Sequence, residues 1–427
     1  MCQYPLFTVI IPQKNRAEYL SHTIRTCMMQ DYPNFEVIVS DDCSEDDSVE
    51  VAEELAKRDS RIKVFAHKQH LGMRDNFEFA LSQVRPGYIM ALGGDDGLVP
   101  GAIWKMYKLL KETGRELLTW KYAEFLYPRT EDSSKNMLIV TRNHQKPEII
   151  KSKDFLSGIN DSMYYLVDKC PMFYIKGVAS TELVNRVKSR TMDHCFYYCP
   201  TPDGFSGVVL AGEVEDFVFT YEPLSMGGNT TKSQGQNYAR TDRQSRFESE
   251  QFFKDNASRH MHKELASQPY SPLITLMTAD YLLTAQDLPG WPGKNYYQVS
   301  FENVITKTFR FISNSRYSTS VLIRELQILK KIAEQHNMLD LYNKLYKTTK
   351  LKVMKHSEIF GFTLSHSIRI EGSSVGIHNI FDAANATPFI YNFVCNFRFH
   401  HLKELFCNTI KNVLISKNYK YLDLPKQ

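Results

Sequence analysis

The chain has 427 residues, of which 43% are hydrophobic and 23% charged, a globular composition long enough for two or more cores, which excludes a fibrous or wholly disordered polymer. The net charge is only +4, yet residues 341–427 carry 12 Lys/Arg against 5 Asp/Glu, so that stretch is +7 and the remainder −3. No run approaches the roughly 20 apolar residues needed to span a bilayer. The eight cysteines form no CxxC pair and no secretory leader precedes the first apolar run, which together suit a reducing cytosol and structural thiols, Cys195 and Cys199 included.

In chain order, apolar runs alternate with segments of helical period, the pattern of βαβ units around a mostly parallel sheet. Phe7–Ile11 reads as the first strand, and Leu20, Ile24, Cys27 and Met28 mark the helix after it. Phe35–Ser40 is the second strand. Ser44 can then cap a helix bearing Val49, Ala52, Leu55 and Ala56. Ile62–Ala66 is the third strand, Phe77, Ala80, Leu81 and Val84 a third helix, and Tyr88–Leu92 the fourth strand. Ile103, Met106, Tyr107 and Leu110 repeat the helical spacing, with Gly114 as its stop. From about 125 to 235 the runs shorten, as in Met137–Val140 and Phe217–Tyr221, and read as the second half of the same domain. Beyond Ser233 the chain turns polar and then helical, with Leu322, Leu326, Leu329 and Ile332 at near-heptad spacing and LPGWPGKN as a rigid turn. The expected organisation is an α/β domain over residues 1–235 and an α-helical domain over 236–427 that serves acceptor, membrane or oligomer contacts.

Three strand ends carry polar chemistry: PQKNR, SDDCSEDDS and ALGGDDG. Open α/β sheets bind ligands at the C-terminal ends of their strands. Asp41 and Asp42 point to opposite faces, so one of them is the ligand contact, suited to a ribose hydroxyl or a base N–H. Asp95 and Asp96 diverge in the same way. The glycines before them let backbone approach a ligand, and a single aspartate can hold Mg²⁺ against a diphosphate.

Taken together, Pro12, Asn15, Arg16, Gln30, Tyr32, Glu36 to Val39, Asp41, Asp42, Ser44, Gly72, Asn76, Asp95 and Asp96 resemble the motifs of family 2 glycosyltransferases of the GT-A fold. The resemblance covers about residues 5–235. It implies an α/β, Rossmann-like GT-A sheet, with Asp42 on the nucleotide base, Pro12 and the Asp41–Asp42 segment walling the pocket, and Asp95 holding a divalent cation, Mn²⁺ or Mg²⁺. Asp96 and Asn229 are further candidate metal ligands. Asn15, Arg74, Gly94 and Lys232 complete the candidate nucleotide-sugar contacts. The sequence departs from the family at Gly93, which stands where the family has the first aspartate of Asp-x-Asp.

An inverting transferase also needs a base for the acceptor hydroxyl. Asp203, in a Pro/Gly-rich loop before a helical run, is the favoured candidate, with Asp216 and Glu215 as alternatives. SMGGNTTKSQG (Ser225 to Gly235) has the composition of a lid over phosphates, or of a flexible interdomain linker. Phe389, Phe393, Phe397 and His401 recur at helical spacing, as a buried core helix or a membrane or partner face. The expected activity is metal-assisted, inverting transfer of a sugar from a nucleotide diphosphate sugar to a glycan or lipid-linked acceptor in surface polysaccharide synthesis. The alternative is a degenerate scaffold module. The expected setting is the cytoplasm or the inner face of its membrane, with contact there through the basic C-terminal region, with oligomers allowed and without nucleic acid.

Overall fold

The computed structural model describes residues 4–128, 136–141, 143, 145–233, 238, 243–257, 259–314, 319–349 and 367–396. Strands β1 (Phe7–Gln13), β2 (Phe35–Asp41), β3 (Ile62–Ala66) and β4 (Tyr88–Ala91) pair in parallel, joined by helices α1 (Ala17–Met28), α2 (Ser48–Ala56) and α3 (Met73–Ser82). Every residue of β1 and β2 is buried, as expected of parallel strands covered on both faces. Alternation then sorts them: Phe7, Val9 and Ile11 join Leu20, Ile24 and Met106 on one side, while Ile10 meets Phe77 and Ala80 on the other. Each such side chain contributes about 1.5–3 kcal/mol of burial. The helix α4 (Ala102–Thr113) ends at Gly114 with φ 64, the left-handed turn its glycine permits.

The sheet continues through β10 (Gly177–Ser180), β6 (Leu117–Trp120), β11 (Asp216–Thr220) and β9 (Glu148–Lys151), in the order β3-β2-β1-β4-β10-β6-β11-β9. Because β10 is antiparallel to both β4 and β6, and β11 is parallel to β6, the strands β4, β6 and β11 share one direction. This is the expected α/β sheet, mostly parallel and flanked by helices. One expectation fails locally: α2 is entered at Asp47 and not capped by Ser44, whose hydroxyl binds Asp41 instead.

A second sheet has the order β13-β8-β7-β12-β5, from β5 (Gly97–Leu98), β7 (Ala123–Leu126), β8 (Met137–Thr141), β12 (Ser225–Asn229) and β13 (Ser367–Glu371). The chain beyond 235 is largely helical, as expected, but it is not set apart from the sheets. β13 pairs antiparallel with β8, and helix Ile380–Asn396 packs Ile380, Ala383 and Tyr391 onto Phe125 and Leu138. Helix Ile274–Gln286 sends Tyr281 and Leu282 into the core under α7 (Pro202–Glu213). Trp291, just before the short 3-10 helix Pro292–Asn295, is 2% exposed and donates to the Val209 carbonyl at 3.0 Å. A separate helical core gathers Leu276, Ile305, Leu329 and Ile332. On helix Ile380–Asn396, Phe389 and Phe393 point outward, 78% and 57% exposed, while Phe397, His400 and His401 lie outside the described residues.

Candidate functional site

Strand order reverses between β1 and β4, so a crevice opens at their C-terminal ends, with the end of β2 beside it. Pro12, Asn15, Asp41, Asp42, Gly94, Asp95 and Lys232 gather there. On the β2 side, Asp41 is 1% exposed and faces inward, taking the Ser44 N–H at 2.8 Å, the Ser44 hydroxyl at 2.6 Å and a Gln13 amide. Ser44 also takes the Asn15 N–H at 2.8 Å, and Asn15 sits at φ 53 with its Oδ1 on the Glu45 N–H. These contacts shape the wall. Asp42 accepts from the N–H groups of Leu71 at 2.6 Å and Gly72 at 3.1 Å, and His70 Nδ1 lies 2.8 Å from its Oδ2. The other ring nitrogen of His70 is 3.1 Å from Asp255, so helix Arg243–Asp255 reaches this rim. Arg74 is turned elsewhere, onto the Tyr197 carbonyl at 2.6 Å and Asp75.

At the end of β4, Asp95 and Asp96 part company. Asp96, 1% exposed, accepts the Gly93 N–H at 2.7 Å and the Gly228 N–H at 2.9 Å. Burial first, and Asp95 second, push its carboxyl well above the ordinary aspartate range. Asp95 accepts the Thr230 hydroxyl at 2.9 Å, and Arg16 Nε stands 3.9 Å from its Oδ2. Gly94 lies against the Arg16 stem, where an added Cβ would come within 3.0 Å. Arg16 Nη2 donates to the Lys232 carbonyl at 2.9 Å, and Lys232 Nζ donates back to the Asn15 carbonyl. The stretch read as a lid or linker therefore begins as β12 and turns at 230–233 onto the loop after β1.

Asp203 lies in the first turn of α7, behind Pro202. Tyr165 donates to its Oδ2 at 3.2 Å, while its Oδ1 is buried among the described residues without a hydrogen-bond partner. Burial raises this carboxyl above the ordinary aspartate range, against the Gly204 N–H. One segment ties Asp203 to the end of β4. Phe173 N–H donates to Ser206 Oγ at 2.9 Å, Ser206 Oγ donates to the Asp203 carbonyl at 2.6 Å, and Ile175 N–H donates to the Ala91 carbonyl at 2.8 Å. Burial first, and then the Asp96 and Asp95 charges, push the hydroxyl of Tyr174, between those anchors, well above its ordinary value, with Arg16 acting in the opposite direction. The alternatives are elsewhere. Asp216 and Glu215 precede or begin β11, at the opposite edge of the sheet from the C-terminal ends, and both pair with Lys151.

The donor set at Asp95 does not fit a divalent cation. Asp96 has both oxygens on backbone amides, Gly93 offers no side chain, and Asn229 ends β12 opposite Leu126. Among the described residues no three His, Cys, Asp or Glu side chains form a metal-holding group. One carboxylate remains, which is enough in number for a cation held against a diphosphate, but its Oδ2 already takes the Thr230 hydroxyl and has the Arg16 guanidinium beside it, so the misfit is one of charge. The motif string had pointed to Asp95, with Asp96 as a further candidate, and Tyr174, Tyr165 and Thr230 were missed because they lie in irregular segments without periodic pattern. Arg16 stood in the matched motif and could have been found there.

Residues 8–160 match the family model described as glycosyl transferase family 2. A GalNAc(5)-diNAcBac-PP-undecaprenol beta-1,3-glucosyltransferase of Campylobacter jejuni is 30% identical over 166 residues, which cover 39% of this chain and 52% of that protein. A putative teichuronic acid biosynthesis glycosyltransferase of Bacillus subtilis is 32% identical over 108 residues, 25% of this chain and 40% of its own length. The chain thus spans about half or less of the curated relatives it matches. The TarS fragment 1–349 of S. aureus in complex with UDP-GlcNAc aligns with a TM-score of 0.42 at 14% identity, over 80% of this chain and 91% of that one.

Proposed function

We propose that the protein is an inverting glycosyltransferase that moves a sugar from a nucleotide diphosphate sugar to a hydroxyl of a glycan or lipid-linked acceptor in bacterial surface polysaccharide synthesis. One observation carries this reading: the family 2 match covers the strands whose ends form the crevice, and Asp203 is tied to that same crevice through the Phe173–Ile175 segment.

In this mechanism the nucleoside lies along the end of β2, against Pro12 and Asp42, and the diphosphate lies at the end of β4. Asp203 Oδ1 takes the proton of the acceptor hydroxyl as that oxygen bonds to the anomeric carbon. The bond from the anomeric carbon to the diphosphate oxygen breaks on the opposite face, and its electron pair leaves with the nucleoside diphosphate. A raised carboxyl suits this work, because proton transfer is most effective when the base's pKa approaches the working pH. The polysaccharide setting is supported by the two relatives' names, each of which denotes a bacterial glycan assembly enzyme. Among the described residues no helix is long and apolar enough to cross a membrane. The reading places the protein at the inner face of the cytoplasmic membrane, with the basic stretch 341–427 toward the lipid surface.

A thermal-shift panel of nucleotides and nucleotide diphosphate sugars tests the donor class. A ligand at about 100 times its Kd adds about 2.7 kcal/mol to apparent stability. Stabilisation by one nucleotide family, with turnover lost in Asp203→Ala, is the expected result. Turnover that survives Asp203→Ala overturns the base assignment, and donor binding without turnover in the unaltered protein favours the scaffold reading.

A further inference from the structure

We propose that Arg16 and Lys232 together take the charge-neutralising place of a divalent cation, so that the nucleoside diphosphate binds and departs without metal. This rests on the donor reading above. Four observations converge on it.

Position 93 can supply no carboxylate: a Cβ there would lie 2.7 Å from the Tyr174 hydroxyl and 2.8 Å from Asp96 Oδ2. Asp96 is turned away from the crevice, with one oxygen on the Gly93 amide and the other on the Gly228 amide. Asp95, the remaining acid, has Arg16 beside it, and a cation entering there would have to lie next to a guanidinium. Finally, the two cationic chains are built into the crevice. Arg16 is anchored by its own N–H on Ser48 Oγ at 2.9 Å and by Nη2 on the Lys232 carbonyl, and Lys232 returns its ammonium to the Asn15 carbonyl.

One further charged group lies beside Lys232. Burial pushes the Asp46 carboxyl up, but its bonds to Ser48 and Ala17 and, last, the Lys232 charge outweigh this and hold it below the ordinary aspartate range. Asp46 is itself held by the Ala17 N–H at 3.1 Å and by Ser48. Arg16 beside Asp95 and Lys232 near Asp46 thus set two cations among two carboxylates at this end of the crevice, and a bound diphosphate competes for both cations. A guanidinium fork matches a diphosphate better than a point charge does, with parallel N–H donors for two oxygens. Arg16 and Lys232 currently donate to carbonyl oxygens, which a diphosphate would outcompete as an anionic acceptor.

The test is calorimetric titration of the full chain with UDP, GDP, dTDP and CDP, in EDTA and in Mn²⁺. The protein should bind one of them with affinities within about threefold in the two conditions. Arg16→Gln should weaken that binding at least about tenfold in EDTA, a loss of about 1.4 kcal/mol, and added Mn²⁺ should recover part of it. Lys232→Met, which leaves the Arg16 anchor on Ser48 intact, should show a smaller loss of the same kind, and circular dichroism checks that both variants fold. Binding by the unaltered protein only with Mn²⁺, or unchanged binding in both variants, overturns the proposal alone. Absence of binding to any of the four nucleotides in both conditions overturns the donor reading with it.

Discussion

The Tyr174 hydroxyl occupies the space that a side chain at position 93 would need, 2.7 Å from where its Cβ would sit. Gly93 is therefore not a lost acid awaiting restoration but one half of a fitted pair. Gly93→Ala should cost about 1–3 kcal/mol through overpacking. Combined with Tyr174→Phe, which removes the blocking oxygen, part of that penalty should vanish, and a double-mutant cycle by urea unfolding measures it. Strict additivity of the two changes would show that the residues do not compete for space.

Asp203→Asn should lower kcat by about 10²–10⁴-fold, the usual worth of a positioned base, while leaving nucleotide affinity in place. Burial raises the folded carboxyl above its unfolded value, so the folded state prefers it neutral. Its contribution to stability is then most favourable below the unfolded pKa and is lost as pH rises through the folded one. The asparagine variant should accordingly match or exceed the parent in Tm at neutral pH. The parent's kcat/KM should climb with pH along an acid limb centred above the ordinary aspartate range. A variant that loses activity and Tm in parallel would mark Asp203 as structural.

Asp216→Asn should do the reverse. Burial pushes the Asp216 carboxyl up, but Lys151 and Arg115 together outweigh it and hold the group below its ordinary value. That stability is present above the unfolded pKa and is lost as pH falls through the folded one. The substitution should cost about 1–3 kcal/mol at neutral pH, flatten the acid side of the stability profile, and leave kcat within about threefold of the parent. A collapse of kcat without loss of Tm would return Asp216 to the list of bases.

Gly212→Ala should separate the helical region from the sheet. An added Cβ would fall 2.0 Å from Cζ2 of Trp291, which is buried against α7. The expected loss is about 3 kcal/mol or more, near that of Trp291→Ala, with earlier proteolytic cleavage in residues 236–300. Equal proteolytic resistance in variant and parent would show that this contact does not hold the two parts together.

Much of the first 114 residues was legible because both signals used there are local. Parallel strands covered on both faces read as unbroken apolar runs, and Phe7–Gln13 and Phe35–Asp41 do so. The strand-end carboxylates were visible for the same reason. What the sequence could not show was which lone pairs were already engaged. Asp95 and Asp96 are adjacent and chemically alike, yet Gly228, more than 130 positions away, decides that Asp96 faces inward. Asp203 was singled out as a candidate from its Pro/Gly context, whereas its link to the crevice runs through the Phe173–Ile175 segment, which has no period. The boundary at 235 misjudged β13 because a five-residue strand followed by a short helical turn carries little pattern of its own.

That late strand bears on how the molecule is made. β8 is complete at Thr141, but its partner β13 begins only at Ser367, some 226 positions later. At synthesis rates of about 5–20 residues per second, the edge of β8 waits on the order of ten seconds or more, uncovered, for its neighbour. A chain interrupted before residue 367 would carry the crevice and its carboxylates with a bare hydrogen-bonding edge beside them, a ready template for association with other chains.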